Sequence, residues 1–195
     1  MTTPEPGLRE KILSTAKNLF IKHGYRGLAM RQIAEALHVS KPALYYHFKD
    51  KEELFLAILR LYLDEMETAL ERIRAEGPTS REQVRLFVEY VLSQPAGQRA
   101  LIRLASQEMG QLSAPARKAF ERIYQEKFIG KVEAILVGGM ERGEFKAIHP
   151  GVATWTLLGI MYPYFYPAHA GGTGLSREVI EQVTTVYLDG MGNAG

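Results

Sequence analysis

Residues 28–51 read LAMRQIAEALHVSKPALYYHFKDK and hold two short helical patterns separated by a turn. Met30, Ile33, Ala34 and Leu37 recur at i, i+3, i+4 and i+7, which is one apolar stripe of an α-helix. His38-Val39-Ser40 interrupts the stripe. Ser40 then opens a second helix as its N-cap, because its hydroxyl can accept a hydrogen bond from a free first-turn amide. Pro42 sits in that first turn, where its missing N–H costs nothing and its fixed φ suits the helix. Leu44 and Phe48 form the inward face of the second helix. Lys41, Ala43, Tyr45, Tyr46 and His47 are left on its outer side. Two short helices, the second with a small, basic and aromatic outer face, make a helix-turn-helix.

The run resembles the DNA-binding segment of TetR-family transcriptional regulators. The residues that carry the resemblance are Ile33-Ala34, Val39-Ser40, Leu44-Tyr45, Tyr46-His47-Phe48 and Lys51-Glu52-Glu53-Leu54, with Phe20, Gly24, Tyr25 and Gly27 upstream. The likeness extends over residues 8–56. Two positions depart from the family's usual pattern. His38 stands where glycine is common, and His tolerates positive φ better than most residues. Pro42-Ala43 replaces a common Gly-Thr, which removes a hydroxyl but leaves the Ala43 methyl able to touch a thymine methyl.

Outward from this stretch, the chain reads as all-α, with about nine helices. Leu8, Ile12, Ala16, Leu19 and Phe20 form one face of a helix over about 8–23, which Gly24 ends. With helices at about 30–37 and 41–48 it makes a three-helix head, residues 1–50, with the helix-turn-helix at about 29–48. Asp50 and Glu53 form a capping-box pattern at the start of a long helix. Its Phe55, Leu59, Tyr62, Met66, Ala69 and Ile73 mark a buried seam to about Ala75. Residues 51–195 form a helical body. Ser80 is read as the cap of its first helix, and breaks follow at Pro95, Gly97 and Gly110. A helix from Pro115 carries Phe120, Tyr124, Phe128, Val132 and Leu136. Pro163 must end or kink the run Val152–Phe165, a Gly-rich loop AHAGGTG follows, and Ser176 caps the last helix.

Composition narrows the functional classes. Of 195 residues, 46% are hydrophobic and 24% charged, ordinary values for a globular chain. Cysteine is absent, so disulfides and thiolate chemistry are excluded, and the chain is compatible with a reducing cytoplasm, where we place it. The N-terminal MTTPEPGLRE lacks the apolar stretch of a signal peptide. The longest apolar-rich run, Val152–Phe165, is too short and proline-broken to span a bilayer. The net charge of +2 conceals an asymmetry: residues 1–51 carry nine Lys and Arg against four Asp and Glu, and the remainder is net negative. A basic head on a slightly acidic body suits a head that meets phosphate. The five histidines offer no paired metal-ligand spacing, so no metal is expected. No G-x-S-x-G and no phosphate-cradling glycine loop is present, so neither an enzyme nor a cofactor is expected.

The candidate DNA-binding residues are Arg31, Ser40, Lys41, Pro42, Ala43, Tyr45, Tyr46, His47 and Lys51. Tyr45, Tyr46, His47 and Lys51 present hydroxyl, imidazole and ammonium groups to phosphates; Lys41 and Ala43 stand where base edges are read; Arg31 stands at the start of the preceding helix. The body is rich in aromatic and methionine side chains. Most are core by default, and Tyr62, Met66, Phe87, Tyr90, Met109, Tyr124, Phe128, Trp155 and Tyr162 are the candidates to line an apolar cavity.

The resemblance implies a dimeric repressor that pairs through its last two helices, at Val152–Phe165 and Val179–Tyr187. It implies a palindromic double-stranded operator, and release by a small apolar or amphipathic effector through the helix over 50–75. The alternative is a DNA-binding regulator without a small-molecule ligand, controlled by a protein partner.

Overall fold

The computed structural model describes residues 7–166, 169 and 175–192. Among them every regular element is helical, and the only β pairing is an isolated antiparallel bridge between Phe145 and Gly192. The helices are α1 (Leu8–His23), α2 (Met30–Ala36), α3 (Lys41–His47), α4 (Lys51–Glu76), α5 (Ser80–Leu92), α6 (Ala96–Glu108), α7 (Ala114–Tyr124), α8 (Gly130–Glu141), α9 (Pro150–Met161) and α10 (Arg177–Met191). A π-helical turn, Gln125–Ile129, joins α7 to α8 without a break. Counted as one rod, they bring the described helices to the nine expected.

The chain forms two compact units. The first comprises residues 1–62 and 104–121, the second residues 63–103 and 122–195. In the first, Ile12, Ala16, Phe20, Ile33, Leu44 and Phe55 are sealed from solvent. The Phe55 ring lies 5.1 Å from both Phe20 and Tyr25, so α1, the α1–α2 link and the start of α4 share one aromatic core. Each such aromatic pair adds roughly 0.5–1.5 kcal/mol beyond the area it buries.

The second unit is built on the seam of α4, where Met66, Ala69 and Ile73 are buried, and on Val84, Phe87, Val88 and Val91 of α5. Lys127 and Lys131 bridge Asp64, Glu67 and Glu71 of α4 at 2.6–3.2 Å. Tyr187 of α10 donates its hydroxyl proton to the Ala153 carbonyl of α9 at 3.0 Å.

Two local expectations are corrected. Ser80 is not the cap of α5: Thr79 accepts the Glu82 amide at 3.1 Å, and Ser80 is the fully buried first residue. Its hydroxyl donates instead to the Ile135 carbonyl of α8 at 2.8 Å. The α7–α8 rod is not one uniform α-helix, because the π turn widens it at Gln125–Ile129. Around Pro163 the chain tightens into a 3₁₀ turn, Tyr162–Phe165, as a residue that cannot donate to the helix ladder requires. The glycine-rich loop lies, apart from His169, outside the described residues.

Candidate nucleic-acid interface

Helix α3 owes its orientation to the turn before it. His38 has φ 54°, the only positive φ of a non-glycine among the described residues. That left-handed step lets Val39 donate back to the Ala34 carbonyl at 3.0 Å and closes α2. Ser40 then caps α3, accepting the Ala43 amide at 3.3 Å. Leu44 and Phe48 point inward and are sealed.

The opposite side of α3 is open. Tyr46 is 87% and Tyr45 49% exposed, which places Tyr45 outside the core. Lys41 and Pro42 are exposed, and Ala43 and His47 half-exposed. The Tyr46 and His47 rings meet edge-on at 5.3 Å. Arg31 is exposed on α2 and pairs with Glu35 at 3.1 Å. One helix thus presents hydroxyl, imidazole and ammonium groups from a rigid core. That combination can contact phosphates and base edges in a major groove.

Lys51 is differently placed. Its ammonium donates to the Tyr25 carbonyl at 2.6 Å and the Leu28 carbonyl at 2.9 Å, and lies 4.4 Å from the Tyr25 ring centroid. Partial burial lowers its pKa, against the opposing pull of Glu108. Two of its three N–H groups are spent inside the unit, so Lys51 clasps the α1–α2 link. Lys49, two residues earlier, is exposed, and its ammonium has no partner among the described residues. It was not singled out from the sequence, although its position directly after α3 was the available signal.

The turn between α6 and α7 is bolted to the same unit. Glu108 accepts the Tyr25 amide at 3.3 Å, Arg26 pairs with Gln111, and Glu52 accepts both the amide and the hydroxyl of Ser113 at 2.6 and 2.8 Å. These partners lie 61 to 85 residues apart in the chain. No local pattern could have revealed them.

The cavity candidates divide. In the second unit, Phe128 of the π turn meets Phe87 at 6.1 Å and Tyr124 at 5.4 Å. Burial pushes the Tyr124 hydroxyl up to about 12. Tyr162 packs on Phe165 and Tyr166, each at 5.8 Å. The Arg103 guanidinium lies 5.2 Å from the Tyr166 ring and donates to the Phe165 carbonyl at 3.3 Å. Met66 is buried in the seam and Tyr90 half-buried on α5. Tyr62 and Met109 belong to the first unit. Trp155 is not gathered with these groups: it is 57% exposed on α9 beside Val152, also 57% exposed.

A model of the family described as bacterial regulatory proteins, tetR family, matches residues 12–58, and a second, tetracyclin repressor-like, C-terminal domain, matches residues 77–191. The chain belongs to the tetR family. Among tetR-family relatives it is similar to the transcriptional repressor KstR2 of Rhodococcus jostii, at 26% identity over 97% of this chain and 94% of that one. It is also similar to the transcriptional regulator QacR of Staphylococcus aureus, at 40% identity over 44% of this chain. The chain spans only 46% of QacR and 39% of the transcriptional activator FasR of Mycolicibacterium smegmatis, which it resembles at 34% identity. By structure it is similar to the ketosteroid transcriptional regulator KstR2 of Mycobacterium tuberculosis, with TM-score 0.80, 20% identity and 96% of each chain covered. AibR, solved in complex with isovaleryl coenzyme A and operator DNA, shares the fold at TM-score 0.73 and 23% identity, over 94% of this chain and 97% of that one. KstR2, QacR and FasR are transcriptional regulators, and the family model that matches residues 12–58 is one of bacterial regulatory proteins. No helix among its described residues is long and apolar enough to cross a membrane.

Proposed function

We propose that this protein is a cytoplasmic, dimeric repressor that reads a palindromic operator with α3 and leaves it when a small apolar or amphipathic ligand enters the body. The observation that carries the reading is the outer face of α3, where Lys41, Tyr45 and Tyr46 are exposed over the sealed Leu44 and Phe48. Lys41 and Ala43 read bases. Tyr45, Tyr46, His47, Arg31 and Lys49 hold the backbone, while Ser40 and Pro42 set the start of α3 and Lys51 supports the α1–α2 link. In this assignment Lys51 moves from phosphate contact to support, because its donors are spent on carbonyls.

Dimerisation through α9 and α10 is supported by three exposed apolar side chains, Val152 and Trp155 at 57% and Val186 at 65%. A second copy would remove that surface from water. Trp155 is therefore assigned to the subunit contact and not to the ligand. The ligand reading is supported by the aromatic groups Phe87, Tyr124 and Phe128, and Tyr162, Tyr166 and Arg103. It is supported too by two proteins that share the fold, AibR in complex with isovaleryl coenzyme A and the ketosteroid transcriptional regulator KstR2. The ligand acts only through its differential affinity for the DNA-competent and released states. Helix α4 belongs to both units and carries that difference, together with the α6–α7 turn held by Tyr25, Arg26 and Glu52.

Selection of bound sequences from a random duplex library tests the proposal. The expected product is an inverted repeat with half-sites about one helical turn apart or a little more. Lys41→Ala should alter the selected sequence, and Tyr46→Ala should weaken all sequences alike. Enrichment of no inverted repeat would overturn the operator reading. Trp155→Glu should yield monomers by light scattering, and persistence of the dimer would remove α9 from the interface.

A further inference from the structure

We propose that a groove in the second unit is a binding site for a small oxyanion, a terminal carboxylate or phosphate carrying a short apolar part. It shares no residue with the aromatic groups discussed above and stands independently of the ligand assigned to them. The groove has a volume of about 400 Å³ and lies among the last turns of α4, the start of α5 and the second half of α8. Ala134 and Val137 supply an apolar wall, and Arg74, Gln83, Glu141 and Arg142 a polar one. That volume is in the range of small-molecule sites.

The Arg142 guanidinium is fixed in the wall before any ligand arrives. Its Nε donates to Glu144 at 2.8 Å, and one terminal nitrogen donates to the hydroxyl of the fully buried Ser80. Glu144 is itself held by the Arg81 amide at 3.0 Å, and Ser80 is held by the Ile135 carbonyl at 2.8 Å. The other terminal nitrogen crosses α8 at Gly138, where an added Cβ would come within 3.2 Å of it. That nitrogen has no acceptor among the described residues. The Arg74 guanidinium, exposed on the last turn of α4, has none either. Two guanidinium groups with free donors line the groove together with one carboxylate, Glu141, while Glu144 pairs with the Arg142 Nε and takes the Arg81 amide at the start of α5. Planar guanidinium forks match the oxygens of carboxylate and phosphate, and a fork already oriented loses less freedom on binding. Gln83 is oriented as well, because its amide nitrogen donates to the Gly77 carbonyl at 2.8 Å.

Titration of the full chain with sodium phosphate and, separately, sodium butanoate tests the site. It would be followed by calorimetry and by the backbone amide resonances of Arg74, Gln83, Gly138 and Arg142, at constant ionic strength set with sodium chloride. At least one probe should saturate with a dissociation constant on the order of millimolar, and Arg74→Gln and Arg142→Gln should each weaken it about tenfold. Saturation by phosphate alone marks a phosphate ligand, and saturation by butanoate alone marks a carboxylate; either supports the site. Arg74→Gln breaks no contact within the protein, so the test survives if Arg142→Gln perturbs folding. No saturation by either probe, equal shifts with chloride, or unchanged affinity in Arg74→Gln would overturn the proposal.

Discussion

The ammonium of Lys51 donates to the backbone carbonyl of Tyr25 at 2.6 Å while lying 4.4 Å from the centroid of the same residue's ring. One residue is gripped by hydrogen bond and cation–π contact together, and the α1–α2 link is closed by that grip. Lys51→Met removes the donors but keeps the stem. The Tyr25 and Leu28 carbonyls lose their partner, and we expect a loss of about 1–3 kcal/mol in denaturant unfolding. The salt dependence of DNA affinity should not change, whereas Lys49→Ala should lower its slope by about one. A reduced slope in Lys51→Met would return Lys51 to the phosphate contacts.

His38 occupies the left-handed region at φ 54°. A side chain there costs roughly 1–2 kcal/mol, offset in part by the extra freedom a glycine has when unfolded. His38→Gly should raise stability by about 0.5–1 kcal/mol, and His38→Val should lower it by more, since a β-branched residue tolerates positive φ least. Urea midpoints of the two variants falling on the same side of the parent would refute this account of the turn.

Gly139 is required by its neighbours and not by its own dihedral angles. A Cβ there would overlap the Phe145 ring and come within 2.8 Å of the Ser80 Cβ. Gly139→Ala should cost about 1–3 kcal/mol of overpacking. Gly138→Ala meets only the far end of the Arg142 side chain, at 3.2 Å and with no backbone or ring in the way, and should cost less. Thermal melts of the pair rank the two sites directly.

Hydrogen bonds from Lys127 and Lys131 hold the Glu67 carboxyl below the ordinary glutamate value. A depressed carboxyl adds stability above its unfolded value and loses it as pH falls through the folded value. The second unit should therefore weaken in acid below about pH 4.5, and Glu67→Gln should flatten part of that fall. The gain at neutral pH is small, because the carboxyl is 27% exposed and such pairs are screened. An acid limb identical in Glu67→Gln and parent would exclude Glu67 as its source.

What was legible in the sequence was what repeats locally. The stripe Met30, Ile33, Ala34, the cap at Ser40 and the inward pair Leu44 and Phe48 follow from spacing alone, and all are found. The α5 cap was misplaced by one residue because Thr79 and Ser80 are both good caps. Only the distant Ile135 carbonyl, which claims the Ser80 hydroxyl, separates them. The role of Lys51 was hidden for a related reason. Its charge and position suit phosphate, and only the fold returns the Tyr25 and Leu28 carbonyls, 26 and 23 residues back, to its ammonium. Trp155 could not be sorted between cavity and surface because α9 is apolar on more than one side.

The π turn at Gln125–Ile129 gives the α7–α8 rod the geometry of a helix with one residue inserted. Each residue of an α-helix turns the chain by about 100°. The wider turn takes up that rotation within Gln125–Ile129, so deleting one residue there should restore a regular rod and leave the facing of α8 unchanged. Deleting Lys131 from the regular helix that follows would instead turn Val132, Ile135 and Leu136 away from the core together. The odd residue is thus held out of the reading frame of the second unit's buried faces, and the rod can lose it there more cheaply than anywhere else along its length.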